Sequence, residues 1–166
     1  GRSVLLLADK GQTLYLSGQG ASPEGNKPFI DQMNRQTKQT KRVWQSQAPH
    51  YEMPVAFIDL ARGEFITRRE SVTEPPNFFL RNLNRPGIRP LTNFPNPYVA
   101  LSGAYKEIVR YKRADGVEMT GTLYLPEGYN KQKDGPLPTL MWAYPREFKS
   151  ADAAGQVSGS PYQFIR

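Results

Sequence analysis

Lys106 to Tyr144 reads KEIVRYKRADGVEMTGTLYLPEGYNKQKDGPLPTLMWAY, and three features of it decide how the chain folds. Asp115-Gly116 is a two-residue turn signal, because Gly accepts the positive φ that a tight hairpin needs. Before the turn, Lys106–Lys112 alternates Ile108 with Arg110 and Val109 with Tyr111. After it, Val117–Leu125 places Val117, Met119, Gly121, Leu123 and Leu125 on one face. Alternation of period 2 is the mark of a strand with one face buried. A polar loop at Pro126–Pro136 follows. Leu137–Tyr144 is then almost continuously apolar, which predicts a central strand covered on both faces.

Upstream, Asn93-Phe94-Pro95-Asn96-Pro97 is a Pro-rich linker and a boundary between two regions. The region before it is a series of short strands separated by turn residues. Strands are predicted at Val4–Leu7, Thr13–Ser17, Pro28–Met33 and Gln39–Gln45. After Ser46–Pro54 they resume at Val55–Asp59, Glu64–Arg68, Asn77–Asn82 and Ile88–Thr92. Two four-stranded units of about 40–50 residues each are the size of β-propeller blades. No long helix is evident. The expected fold class is mainly β, with residues 1–92 as two blade-like units, 93–104 as a linker and 105–166 as the opening strands of a second domain.

Composition narrows the function classes. The chain has 166 residues, 11% of them aromatic, too many for a disordered chain. It has no Cys, so disulfides and Cys-ligated metal are excluded. The apolar run Val4–Ala8 is too short to span a membrane or to be an ordinary signal peptide. The chain opens on Gly1-Arg2 and enters a strand directly, so it is expected to be an interior piece of a longer protein. The formal net charge is +7. The basic residues Arg35, Lys38, Lys41, Arg42, Arg110, Lys112 and Arg113 either make a nucleic-acid surface or simply point to water from hairpin faces. Solvation is the expected reading, since net charge bears first on solubility.

Tyr111 onward, YKRADGVEMTGTLYLPEGYNKQKDGPLPTLMWAYPREFKSADAAGQVSGSP, resembles the opening of the catalytic domain in the prolyl oligopeptidase family. The shared elements are a D-G hairpin, a T-L-Y-L-P strand, a polar loop and a P-x-L-x-x-x-Y strand. YPREFKSADAAGQVSGSP is most similar to the glutamyl endopeptidase branch. Glu70–Leu83, ESVTEPPNFFLRNL, is similar to a late propeller segment in these enzymes. The resemblance implies the last blades of a β-propeller followed by the first strands of an α/β-hydrolase domain. It also implies peptide-bond hydrolysis by Ser, Asp and His, with cleavage after Glu. The implied compartment is plastid stroma in a plant, and periplasm or exterior in a bacterium.

The chain lacks most of that chemistry. A nucleophile elbow of the form G-x-S-x-G is absent, and Gly155-Gln156-Val157-Ser158-Gly159 has the wrong spacing. Ser158 and Ser160 therefore read as loop hydroxyls. His50 is the only histidine. It precedes the hydrolase strands, whereas the family's order is Ser, then Asp, then His. The chain is thus expected to be inactive alone.

The resemblance implies one catalytic element, Tyr144, as an oxyanion-hole donor. Arg146 and Lys149 are the nearest cations for a substrate Glu, on charge complementarity alone. No carboxylate/His spacing suggests metal, and no cofactor is expected. Gly18-x-Gly20 lacks the third Gly of a dinucleotide fingerprint and has Pro23 where a helix should open. Expected partners are a peptide or protein substrate in the complete enzyme, and the rest of its own chain or another copy. Neither membrane nor nucleic acid is expected. The alternative is a standalone basic β-rich module that binds nucleic acid or acidic ligands.

Overall fold

A computed structural model describes residues 5–143 and 159–165 of the chain. Among these the architecture is mainly β, in three antiparallel sheets. The first contains β1 (Leu6–Ala8), β2 (Thr13–Gly18), β3 (Phe29–Asn34) and β4 (Thr40–Gln45), in chain order. The second contains β5 (Tyr51–Asp59), β6 (Glu64–Glu70), β7 (Asn77–Asn82) and β8 (Arg89–Pro90), also in chain order. The third is a hairpin of β9 (Tyr105–Lys112) and β10 (Glu118–Leu125).

The main core lies between the first two sheets. Tyr15 of the first sheet meets Phe57 of the second at 5.0 Å between ring centroids. Trp44 meets Phe65 edge-on at 5.6 Å, and Phe57 and Phe65 touch at 5.7 Å. Tilted and edge-on contacts of this kind set the positive ring edge against the negative face. Ile30 and Phe65 are fully buried.

Two prolines mark departures from the predicted strands. β5 begins at Tyr51 and runs through Pro54, rather than starting at Val55. Pro54 pairs with Thr67, the next partners are Ala56 and Ile66, and Val55 bulges out between them. A bulge tolerates a residue that has no N–H to give the ladder. β8 shrinks from the predicted Ile88–Thr92 to Arg89–Pro90, at the edge of its sheet. Pro90 cannot donate there, so only Arg89 opposite Leu80 and Pro90 opposite Phe79 pair.

The third sheet turns where its glycine allows. Gly116 has φ +86°, and its N–H donates to Arg113 O at 2.8 Å. Beyond β10, Pro126–Pro136 contains one helical turn, α1 (Lys131–Asp134). Asn130 caps it by accepting from the Gln132 and Lys133 N–H groups, and Gly135 at φ +68° ends it.

Leu137–Ala143 corrects the expectation of a buried central strand. It has no strand pairing, and Leu140, Met141 and Trp142 are 92%, 86% and 86% exposed. A strand covered on both faces needs neighbours at its edges and layers above and below. Among the described residues the only sheet nearby in sequence is the two-stranded hairpin, which pairs with itself alone.

Candidate functional site

The residues that the resemblance singles out, Tyr144, Arg146 and Lys149, lie outside the described residues, as does Ser158. The structure brings their flanks into view. On one side is the exposed run Leu137–Ala143. On the other is Gly159–Ile165, which is packed against the sheets.

Ser160 belongs to a turn. Its hydroxyl accepts from the Tyr162 N–H at 3.2 Å, and its own N–H donates to Gln163 Oε1 at 3.1 Å. Ser160 is buried, and the partner its hydroxyl has among the described residues, the Tyr162 N–H, is not a base.

His50 sits in the connection between β4 and β5. Its Nε2 lies 2.8 Å from Glu74 Oε2 and 2.6 Å from an Arg69 guanidinium nitrogen. One ring nitrogen can donate to the carboxylate or accept from the guanidinium, but not both. The neighbouring hydroxyl, Ser46, donates to the His50 carbonyl oxygen instead of to the ring. This His–Glu–Arg cluster therefore ties β6 to the connection before β5, and it holds no nucleophile.

Two further carboxylates are buried, which reading by residue type did not anticipate. Glu52 is 3% exposed. Arg81 grips it with two nitrogens, at 2.8 Å and 2.6 Å, and the Thr67 hydroxyl donates to it at 2.5 Å. Glu70 is 1% exposed. It accepts from Arg68 at 2.9 Å on one oxygen and from the Phe164 N–H at 3.1 Å on the other. Burying a carboxylate is costly unless donors replace the lost water. Here each oxygen of both carboxylates has a donor. Burial, reinforced by the Glu70 charge, pushes the Tyr51 phenol above its ordinary pKa. Tyr51 donates to Gln19 Oε1 at 3.1 Å and so links the second sheet to the loop after β2.

The remaining surface offers little concave chemistry. An open polar hollow of about 260 Å³ lies over β2, β3 and β4, lined by Thr13, Gln32, Asn34, Gln39, Thr40 and Lys41. Several cations are paired on the surface: Arg42 with Asp31, Lys112 with Glu118, and Arg113 with Asp115. Among the described residues there is no group of three or more His, Asp or Glu side chains that could hold a metal. No helix there is long and apolar enough to cross a membrane.

The sequence signal for the buried carboxylates was present but weak. Glu52 and Glu70 stand in adjacent pairs at the same end of the β5–β6 ladder, Glu52 opposite Arg69 and Glu70 opposite Tyr51, each with an Arg on the same sheet in reach. Such spacing also describes exposed ion pairs, so burial could not be read from it.

No family model matches the chain. A rice (Oryza sativa subsp. japonica) protein named "Probable glutamyl endopeptidase, chloroplastic" is 46% identical over 165 aligned positions, covering 94% of this chain. An Arabidopsis thaliana protein of the same name is likewise 46% identical, with the same coverage of this chain. The chain spans 18% and 17% of the lengths of these relatives. Among solved structures, a variant of the AtxE2 isopeptidase with an astexin bound superposes on 77% of this chain and 19% of its own, with a TM-score of 0.51 and 17% identity. At that identity the likeness concerns the fold.

Proposed function

This chain belongs to the prolyl oligopeptidase family, on its glutamyl endopeptidase branch, and from that membership we propose that it is the junction of a propeller and a hydrolase domain in a serine peptidase that cleaves after Glu. The observation that carries the reading is 46% identity to two glutamyl endopeptidases over 94% of the chain. In this reading the first and second sheets are late propeller blades. The β9–β10 hairpin opens the hydrolase domain, and Leu137–Tyr144 becomes a strand of its central sheet once flanking strands are present. The division of the chain is then 1–92, 93–104 and 105–166.

The chemistry is peptide hydrolysis through an acyl-enzyme. A Ser oxygen attacks the scissile carbonyl, and its proton passes to His and then to the leaving amine. The negative charge that develops on the carbonyl oxygen needs donors. Tyr144 supplies one through its phenolic O–H. Arg146 and Lys149 are the nearest cations for a substrate carboxylate, on charge complementarity alone. The Ser, His and Asp come from outside these 166 residues, so the chain is inactive alone. In a plant the proposed location is the plastid, after the chloroplastic relatives.

The test uses the complete protein and chromogenic peptides ending in Glu, Gln or Leu before the reporter group. Cleavage after Glu that a serine-directed inhibitor abolishes is the expected result. Equal cleavage of all three peptides would remove the specificity. No cleavage by the complete protein would remove the peptidase reading. In the active enzyme, Tyr144→Phe should lower kcat by roughly 10²–10³-fold, the size of losing one oxyanion donor. Unchanged kcat would take Tyr144 out of the mechanism.

A further inference from the structure

Gly159–Ile165 is held in place by elements far from it in sequence. At one end the Asn26 N–H donates to Gly159 O at 2.6 Å. In the middle, Lys106 Nζ donates to Ser160 O at 3.4 Å and to Gln163 O at 3.0 Å. At the other end the Phe164 N–H donates to Glu70 Oε2 at 3.1 Å. These partners come from the loop before β3, from β9 and from the end of β6. The Phe164 ring stacks on Tyr98 at 6.3 Å, from the segment before the hairpin. Phe164 and Ile165 are each 5% exposed.

The seat is shaped for this segment. A Cβ on Gly25 would lie 2.8 Å from Pro161 Cδ and 3.0 Å from Gly159 O, and Gly25 has φ +114°. Any side chain there would collide with the segment and strain the backbone. The charges are matched to the peptide as well. An ammonium meets two carbonyl oxygens and a carboxylate meets an N–H, so recognition is through main-chain atoms. Glu70 also has a reason to need the segment. Arg68 serves only one of its oxygens, while Arg68 Nε is itself buried with no hydrogen-bond partner. Among the described residues the Phe164 N–H is the donor to the other oxygen. Unseating the segment leaves a buried carboxylate oxygen bare, which opposes partial release.

We propose that Gly159–Ile165 is a strap that latches the β9–β10 hairpin to both four-stranded sheets, seated over Gly25 and held by Glu70 and Lys106, and that it seats or leaves as one unit. Seated, it ties the hairpin, which also reaches the loop before β3 through the Arg110 guanidinium on the Pro23 carbonyl, to the two sheets that share the aromatic core. Unseated, the hairpin loses its Lys106 and Tyr98 attachments to the strap, and Glu70 must take up water.

Hydrogen exchange on the complete protein tests this, with Glu70→Leu read at Asn26, the end of the strap it does not touch, and Lys106→Met, which releases the middle, read at both ends. In Glu70→Leu the Asn26 amide, bonded to the far end, should exchange about tenfold faster, the loss expected for one charge-assisted hydrogen bond. In Lys106→Met the Phe164 amide, in the peptide whose carbonyl Lys106 holds, and the Asn26 amide at the other end should both speed up by a similar factor. The Phe65 and Thr67 amides in the core should keep their protection in both. Acceleration confined to the amide whose own partner was removed would overturn the unit behaviour. No acceleration at Phe164 in Lys106→Met would overturn the strap itself. If Glu70→Leu fails to fold, seen as lost protection at Phe65, Lys106→Met decides alone.

Discussion

The two four-stranded sheets and the segment from Tyr105 to Ala143 both carry apolar, strand-like runs, yet they end in opposite states. In the sheets, apolar and even charged side chains find partners: Phe65 is fully buried, and Glu52 is enclosed by Arg81 and Thr67. In the later segment, Tyr105, Tyr111 and Tyr124 are about half exposed, and Leu140, Met141 and Trp142 are almost wholly so. The difference is not in the strands. It lies in whether a second layer exists to receive them. Two sheets that face one another make a core. A lone hairpin has only one layer, and a single two-stranded hairpin is marginal by itself.

The largest effect that could break this contrast is at Arg81. Replacing it with Ala leaves Glu52 buried without its ion partner, which should cost about 3–5 kcal/mol of stability in a denaturant melt. The Glu52→Met, Arg81→Leu double variant should recover most of that loss, because no charge then needs compensation. Full stability in Arg81→Ala would mean that the second sheet is more open than its geometry. Next in size is Phe57, which touches both Tyr15 and Phe65. Phe57→Leu keeps much of the volume but loses two ring contacts, and should cost about 1–2 kcal/mol. A smaller loss would mean that the two sheets are held by something other than the aromatic cluster.

The exposed run is where the contrast can be sharpened. Trp142→Ser in this chain should change stability by less than about 0.5 kcal/mol, as expected for a surface position. The same substitution in the complete protein should be far more damaging if flanking strands cover the run, in the range of about 3–5 kcal/mol for a lost core aromatic. Equal, small effects in both settings would leave Leu137–Ala143 a surface segment.

How much of this was legible in the sequence follows from the range of the interactions. β2, β7 and the hairpin were readable because alternation and a Gly turn are local signals. Pro54 misled by one half-strand, since whether a bulge accommodates it depends on the neighbouring strand. Leu137–Ala143 misled more, because apolarity states only that burial is favourable and says nothing of whether a covering layer is present. Glu52 and Glu70 carry no sequence signal that sets burial apart from exposure, and only their three-dimensional partners bury them. The strap at Gly159–Ile165 left no trace, because it is held largely through backbone atoms that carry no residue-type pattern. Tyr144, Arg146 and Lys149 come from resemblance, and local spacing alone would not have chosen them.

The smallest effect tests the hairpin turn. Asp115 is exposed, yet its carboxyl is held down from an ordinary value of 3.8 to about 2. The chief cause is hydrogen bonding from Arg113, two residues earlier. The Arg113 Nε donates to Asp115 Oδ1 at 2.8 Å, and a second guanidinium nitrogen donates to Oδ2. A carboxylate whose folded pKa is depressed adds stability above its unfolded pKa and loses it as pH falls through the folded one. The window here runs from about pH 4 down to about 2. The contribution is small because water and salt screen an exposed pair. NMR titration of the Asp115 carboxyl should show a midpoint near 2, rising towards the ordinary value in Arg113→Gln. The hairpin should otherwise stay intact, since Gly116 and its bond to Arg113 O set the turn through the backbone. A midpoint that Arg113→Gln leaves unmoved would assign the depression to the backbone N–H of Val117, which also donates to Asp115 Oδ1 at 3.3 Å. The turn would then owe nothing to the Arg113–Asp115 ion pair, while the buried pairs of the second sheet would remain the part of the molecule where charge decides structure.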